Sequence, residues 1–138
     1  CWTKVEPDPN QLRDIAIGWK AAKAVGRLDI GQCVVVEKGS VLAVEAIDGT
    51  DATIARGGRL GGGRAVVVKV CKPQQDTRFD IPAVGPATIQ TMRSAGVSAL
   101  AVETGKTVVF DREKMIAMAD ESAISIIAFG EDRWTDCE

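Results

Sequence analysis

The chain has 138 residues, 46% of them hydrophobic and 26% charged, with a formal net charge of −2. These values set the expectation of one soluble domain with a real apolar core. Near-balanced charge argues against a nucleic-acid binder or a polybasic membrane module. There is no histidine and no tyrosine, which excludes a Ser–His–Asp or Cys–His pair, an imidazole metal ligand and an imidazole base.

Residues 1–10 contain Pro7 and Pro9 and read as an extended lead-in. From Gln11 to about Val25, the spacing of Leu12, Ile15, Ala16, Trp19 and Ala22 predicts a helix. Asp8 or Asn10 is its expected cap, Gly26 its expected stop, and Arg13, Lys20 and Lys23 fall on the side expected to face water. Cys33–Glu37 and Val41–Ala46 flank Lys38-Gly39-Ser40, the pattern of a hairpin. Thr50–Arg59 suits a short helix, and the glycine-rich stretch Gly57–Gly63 is expected to be loop. Ala65–Cys71 is almost continuously apolar, as in a buried central strand.

Residues 72–85 are polar at first, broken by Pro73, Pro82 and Gly85, and without periodicity. A helix is expected over Pro86–Ser94, with proline in its first turn and Gly96 after its end. Ala99–Glu103 and Thr107–Phe110, around Gly105, suggest another strand pair. Asp111 then heads a helix to about Ala119, Ile124–Phe129 is a last strand, and residues 131–138 form a polar tail. The interleaving predicts a single α/β domain over residues 11–130, its mixed β-sheet covered by helices. No apolar run approaches the ~20 residues of a membrane span, and no signal-peptide pattern is present. Cys1, Cys33, Cys71 and Cys137 are unclustered and suit reduced, structural thiols in the cytoplasm.

Three stretches invite a chemical reading. Gly57–Arg64 is rich enough in glycine for a phosphate loop, but it precedes the strand and lacks the Lys-Ser/Thr that must follow, so a connector is favoured. Glu45, Asp48 and Asp51 crowd a strand end, where carboxylates can ligate Mg²⁺. An Asp-Gly turn with Thr50 or Asp51 capping a helix explains their spacing at least as well. In the third stretch, Lys69 interrupts a buried strand and calls for a carboxylate or a bound anion. Lys72, Gln75, Asp76, Arg78 and Asp80 follow closely. Cations there suit phosphoryl oxygens, and carboxylates suit a metal or an attacking water. The helix opening at Gly85-Pro86 adds the N–H groups of Ala87 and Thr88 as anion donors. A salt-bridged surface loop is the competing explanation.

The runs Leu28-Asp29-Ile30-Gly31-Gln32, Ala43–Asp51 (AVEAIDGTD) and Lys72–Pro82 (KPQQDTRFDIP) resemble the C-terminal domain of the LpxI-type UDP-2,3-diacylglucosamine pyrophosphatases. Val84–Ile89, Ala95-Gly96 and Ala101–Gly105 continue the likeness in order, so that it covers about Asp14 to Phe129. The resemblance implies a bacterial, Mg²⁺-dependent hydrolase of lipid A biosynthesis that yields UMP and 2,3-diacylglucosamine 1-phosphate (lipid X). It carries Asp80, in Arg-Phe-Asp-Ile-Pro, over as the catalytic residue. Lys69, Lys72, Gln75, Arg78, Thr88 and Thr50 are the expected substrate-binding residues. Asp76, Glu45, Asp48 and Asp51 are the expected metal ligands. The family's N-terminal domain has no counterpart here, so a piece of a longer protein is expected. The resemblance further implies a lipid-linked nucleotide-sugar substrate, a cytoplasmic location with peripheral contact at the inner membrane, and a homo-oligomer. The alternative is a non-catalytic module that binds a lipid phosphate or nucleotide-sugar.

Overall fold

The computed structural model describes residues 1–73 and 81–131. Helix α1 (Pro9–Arg27) begins where Asp8 accepts a hydrogen bond from the Gln11 amide and the Gln11 side chain returns one to Asp8, a reciprocal cap. It runs through Gly26, the expected stop, and ends one residue later at Arg27. Strands β1 (Cys33–Glu37) and β2 (Ser40–Val44) form the expected hairpin. Lys38 (φ 50°) and Gly39 (φ 78°) both take left-handed backbone, which matches the twist of a two-residue hairpin turn.

Helix α2 (Thr50–Leu60) follows, then β3 (Val66–Lys69) and β4 (Ala83–Val84). Helix α3 (Pro86–Ala95) ends on Gly96 in left-handed conformation. The chain closes with β5 (Ala99–Glu103), β6 (Val108–Val109), α4 (Arg112–Glu121) and β7 (Ser125–Phe129). The main sheet has the order β2-β1-β3-β5-β7. The β1 strand is antiparallel to β2 and β3, whereas β3, β5 and β7 are mutually parallel. Parallel neighbours require crossovers, and α3 and α4 supply them.

Strands β1, β3, β5 and β7 are buried on both faces, and the edge strand β2 is partly exposed. Ile15, Trp19 and Ala22 of α1 pack on alternate residues Val34, Val36, Val66 and Val68. Ile54, Ile89, Met92 and Met115 of the other helices pack on Val35, Val67, Leu100 and Val102. The single α/β domain with a helix-covered mixed sheet is therefore present.

Three local expectations are corrected. Gly57 and Gly58 belong to α2 rather than to a loop. A Cβ on Gly57 would stand 2.5 Å from Val35 Cβ, and one on Gly58 would stand 2.3 Å from the Ala95 carbonyl oxygen. Glycine is thus what lets α2 lie close to β1 and α3. Second, β6 pairs in parallel with β4 instead of with β5. Third, Lys23 turns inward, as described below. No helix among the described residues is long and apolar enough to cross a membrane.

Candidate functional site

The carboxyl ends of β3, β5 and β7 lie along one edge of the sheet, and the antiparallel pairing brings the start of β1 and the end of β2 to the same edge. In open α/β sheets this edge is where ligands are bound. On the face covered by α2 and α3, it carries Glu45 and Lys69, each only 8% exposed. The Glu45 amide donates to the Cys33 carbonyl (2.8 Å), which fixes the residue beside the β1 start. Its carboxylate accepts from the Gln32 amide (3.3 Å) and from the Thr50 hydroxyl. Lys69 Nζ donates to the Ala83 carbonyl at 2.8 Å. Among the described residues the hydrogen-bond partner of Lys69 is thus a main-chain oxygen, where the sequence suggested a carboxylate or an anion.

Cys33 lies between these groups, opposite Lys69 in the β1–β3 register and bonded through its carbonyl to the Glu45 amide. Burial, reinforced by the negative charges of Glu45 and Asp51 and opposed by Lys69, pushes its thiol up to about 12. Glu45, Asp51 and Lys69 therefore all act on one buried atom, and Cys33 is a neutral apolar filler. Asp51, exposed on the first turn of α2, accepts from the Thr91 hydroxyl at 3.4 Å. Asp48 points elsewhere. It is exposed, accepts from the Ala46 amide (3.3 Å) and pairs with Arg56 at 3.1 Å. The Arg56 hydrogen bond, helped by that amide, holds its carboxyl below the usual range. With Gly49 at φ 86°, the Asp-Gly turn is present, but Gly49 itself occupies the cap position of α2 with no side-chain cap bond, so the expected capping by Thr50 or Asp51 is not found.

The other expected residues divide. Thr88 closes the first turn of α3: its hydroxyl accepts from the Gly85 amide (3.1 Å) and its own amide donates to the Gly85 carbonyl (3.0 Å). Its N–H is therefore committed to the helix rather than presented to an anion. Lys72 pairs with Asp29 at 2.9 Å, an exposed partner. Gln75, Asp76, Arg78 and Asp80 lie outside the described residues, although both flanks, Pro73 and Ile81, are at this edge.

On the α1 face of the same edge, a cleft of about 710 Å³ is lined by Lys23, Arg27, Cys71, Lys72, Ile81 and Lys106, among others. Beneath it lies Glu103, 3% exposed. Both its oxygens accept from Lys23 Nζ at 2.8 Å, Oε2 accepts from the Cys71 amide at 2.8 Å, and Lys106 stands 3.3 Å away. Burial raises the Glu103 carboxyl, but the Lys23 hydrogen bond, the Cys71 amide and the two ammonium charges outweigh it and hold the group below its ordinary value. Sequence reasoning missed this pair. The available signal was a carboxylate closing an otherwise apolar strand.

The glycine-rich turn lies at the opposite edge. The amides of Gly62 and Arg64 donate to the buried Glu37 carboxylate. A phosphate loop needs such amides for its ligand, and here an internal carboxylate takes them.

Among the described residues, no three Cys, Asp or Glu side chains are grouped to hold a metal ion. Mg²⁺ asks for less, since one or two carboxylates with water and phosphate oxygens suffice. Glu45 and Asp51 offer oxygen donors of that kind and fit it. Cys1, Cys33 and Cys71 are not in disulfides.

Comparison with known proteins adds two findings. A family model described as the LpxI C-terminal domain matches residues 1–127. The UDP-2,3-diacylglucosamine pyrophosphatase LpxI of Caulobacter vibrioides is 42% identical over 132 residues, covering 90% of this chain and 47% of that protein. The chain thus spans about half the length of the curated relative that it matches.

Proposed function

The chain belongs to the LpxI family, matching its C-terminal domain, and from that premise we propose that it supplies the hydrolytic half of a UDP-2,3-diacylglucosamine pyrophosphatase. The reaction cleaves the pyrophosphate with water, giving UMP and 2,3-diacylglucosamine 1-phosphate, a step of lipid A biosynthesis at the cytoplasmic side of the inner membrane. The observation that carries this reading is the juxtaposition of buried Glu45 and Lys69 at the carboxyl edge of the sheet, where residues 70–82 leave and return.

The residues divide the work by charge. Lys69 is held by Ala83 and largely removed from water, so its field on a phosphoryl oxygen is stronger than that of a surface lysine. Lys72 and Arg78 add positive charge along the diphosphate, Gln75 and the Thr88 hydroxyl are the polar contacts that orient it, and Thr50 acts through its hydrogen bond to Glu45. Asp80 is the catalytic carboxylate, aligning the attacking water. Glu45, with Asp51 and Asp76, would hold Mg²⁺, which when bound supplies charge neutralisation and a more acidic water. Asp48 is diverted to Arg56 and contributes to the turn.

The test is UMP release from UDP-2,3-diacylglucosamine by the intact protein that carries this domain, with Mg²⁺ and with EDTA. The expected result is Mg²⁺-dependent release that Asp80→Asn abolishes while the thermal melt stays in place. Wild-type hydrolysis by the folded variant would refute the role of Asp80. Binding of the lipid phosphate by the wild type without any turnover would replace the hydrolase with a non-catalytic binding module.

A further inference from the structure

The peptide of Cys71 lies just beyond β3, which ends at Lys69. Val70 still pairs with the sheet edge through the Gln32 carbonyl. Cys71 is held differently: its N–H donates to Glu103 Oε2 at 2.8 Å and its carbonyl accepts from Lys23 Nζ at 3.3 Å. The same Lys23 and Glu103 are ion-paired at 2.8 Å, and the ammonium sits 4.8 Å from the Trp19 ring centroid. One ion pair therefore grips both main-chain groups of a single residue. Lys72 and Pro73, which follow, form the lip of the basic cleft.

Stability alone is a poor reason for this arrangement. Desolvating two charges cancels most of their attraction, and apolar residues of similar volume commonly do as well in such places. An apolar pair between Trp19 and β5 could fill the space, but it would offer neither an acceptor for the Cys71 amide nor a donor for its carbonyl.

We propose that the Lys23–Glu103 pair is a positioning device that fixes the backbone of Cys71 and thereby sets Lys72 against the phosphates of the substrate. The inference rests on the pyrophosphatase reading, because it assigns Lys72 a substrate contact. The pair acts through the main chain of Cys71 and touches no reacting atom. Lys72 is well suited to being placed in this way. Its side chain is 22% exposed and that of Asp29, with which it pairs, is 66% exposed, and an ion pair whose carboxylate stands largely in water contributes little.

The test compares Lys23→Met/Glu103→Leu, Lys23→Met and Lys23→Arg with wild type in the intact protein. Urea melts are read alongside kcat and KM for UMP release. The expected result for the double variant is a folded protein with kcat lowered about 10²-fold, the scale of a small misplacement at a reacting centre. Lys23→Arg, which keeps a donor for the carbonyl and the carboxylate, should restore most of kcat. A folded double variant with wild-type kcat and KM would overturn the proposal.

If the double variant does not fold, Lys23→Met decides the matter through amide exchange. Exchange at Cys71 and Lys72 is then expected to be about tenfold faster while Leu100 stays protected, and unchanged exchange at Cys71 overturns the device. The exchange measurement needs no substrate. Failure of the wild type to release UMP would therefore refute the pyrophosphatase reading separately.

Discussion

Replacing Glu103 by Gln keeps the shape of the side chain and one acceptor for the Cys71 amide, but it leaves Lys23 without its counter-charge. The Lys23 side chain is 13% exposed, so its ammonium has limited recourse to water. Breaking a fully buried pair costs about 3–5 kcal/mol; the retained acceptor and the remaining access to water put E103Q just below that range, at about 2–3 kcal/mol at neutral pH. The cost must depend on pH in a defined direction. The folded-state carboxyl is held below its ordinary value, so its contribution is complete above the unfolded value of about 4.3 and disappears as pH falls through the folded value. Below that point wild-type Glu103 is itself neutral and resembles Gln. Urea unfolding of both proteins across about pH 7 to pH 3 gives the difference directly, with other charges common to both. The gap is expected to be widest at neutral pH and to close in acid. Equal stabilities at pH 7, or a gap that does not narrow in acid, would refute the account of the pair.

Two further predictions test the packing. Gly58→Ala places a Cβ 2.3 Å from the Ala95 carbonyl oxygen, a backbone atom; despite the better helix propensity of alanine, α2 and α3 must separate, and a loss of about 1–3 kcal/mol is expected in denaturant melts. A stabilised G58A protein would show that this approach is not close. Cys33 is fully buried and its thiol is pushed up to about 12, so near pH 8 a thiol-specific reagent should label exposed Cys1 at once and Cys33 only on unfolding. Rapid native labelling of Cys33, read by peptide mass mapping, would contradict its environment.

What was legible in the sequence is what short stretches determine by themselves. The Val34-Val35-Val36 and Val66-Val67-Val68 runs specify strands buried on both faces, and Lys38-Gly39 between apolar strands specifies a tight hairpin. The misread positions are those whose state depends on a distant neighbour. Gly57 and Gly58 look like loop until Val35 and Ala95 are known to lie against them. Thr107–Phe110 looks like the return strand of a hairpin from β5, but the main sheet places β7 beside β5, and β4 becomes the partner of β6. Lys23 falls on the polar side of a helical wheel, and only Glu103, 80 positions away, explains its inward turn. Among the candidate site residues, Lys69 was visible as a charge in an apolar strand and Glu45 as one of three carboxylates at a strand end. The separate fate of Asp48 required Arg56, a partner that no turn motif announces.

The two buried charged clusters have a common consequence for the connection between β3 and β4. On one face Lys69 donates to Ala83, joining the last residue of β3 to the first of β4. On the other face Lys23 and Glu103 hold Cys71. Both bonds restrict how the connection begins, and the first also fixes where it ends. Closing a connection of this length costs only a few times RT and the cost grows slowly with length, so one or two charge-assisted bonds are of the right size to offset it. On the proposed function Lys69 would have two tasks that a single substitution would confound, as an anchor for the return of the chain and as a cation for phosphate. The same arrangement gives the absence of histidine a structural meaning. At this edge the described groups that orient the chain are ammonium, carboxylate and amide, with no imidazole among them. An edge built in this way suits chemistry in which preorganised charge, rather than a side-chain base changing state near neutrality, supplies the rate.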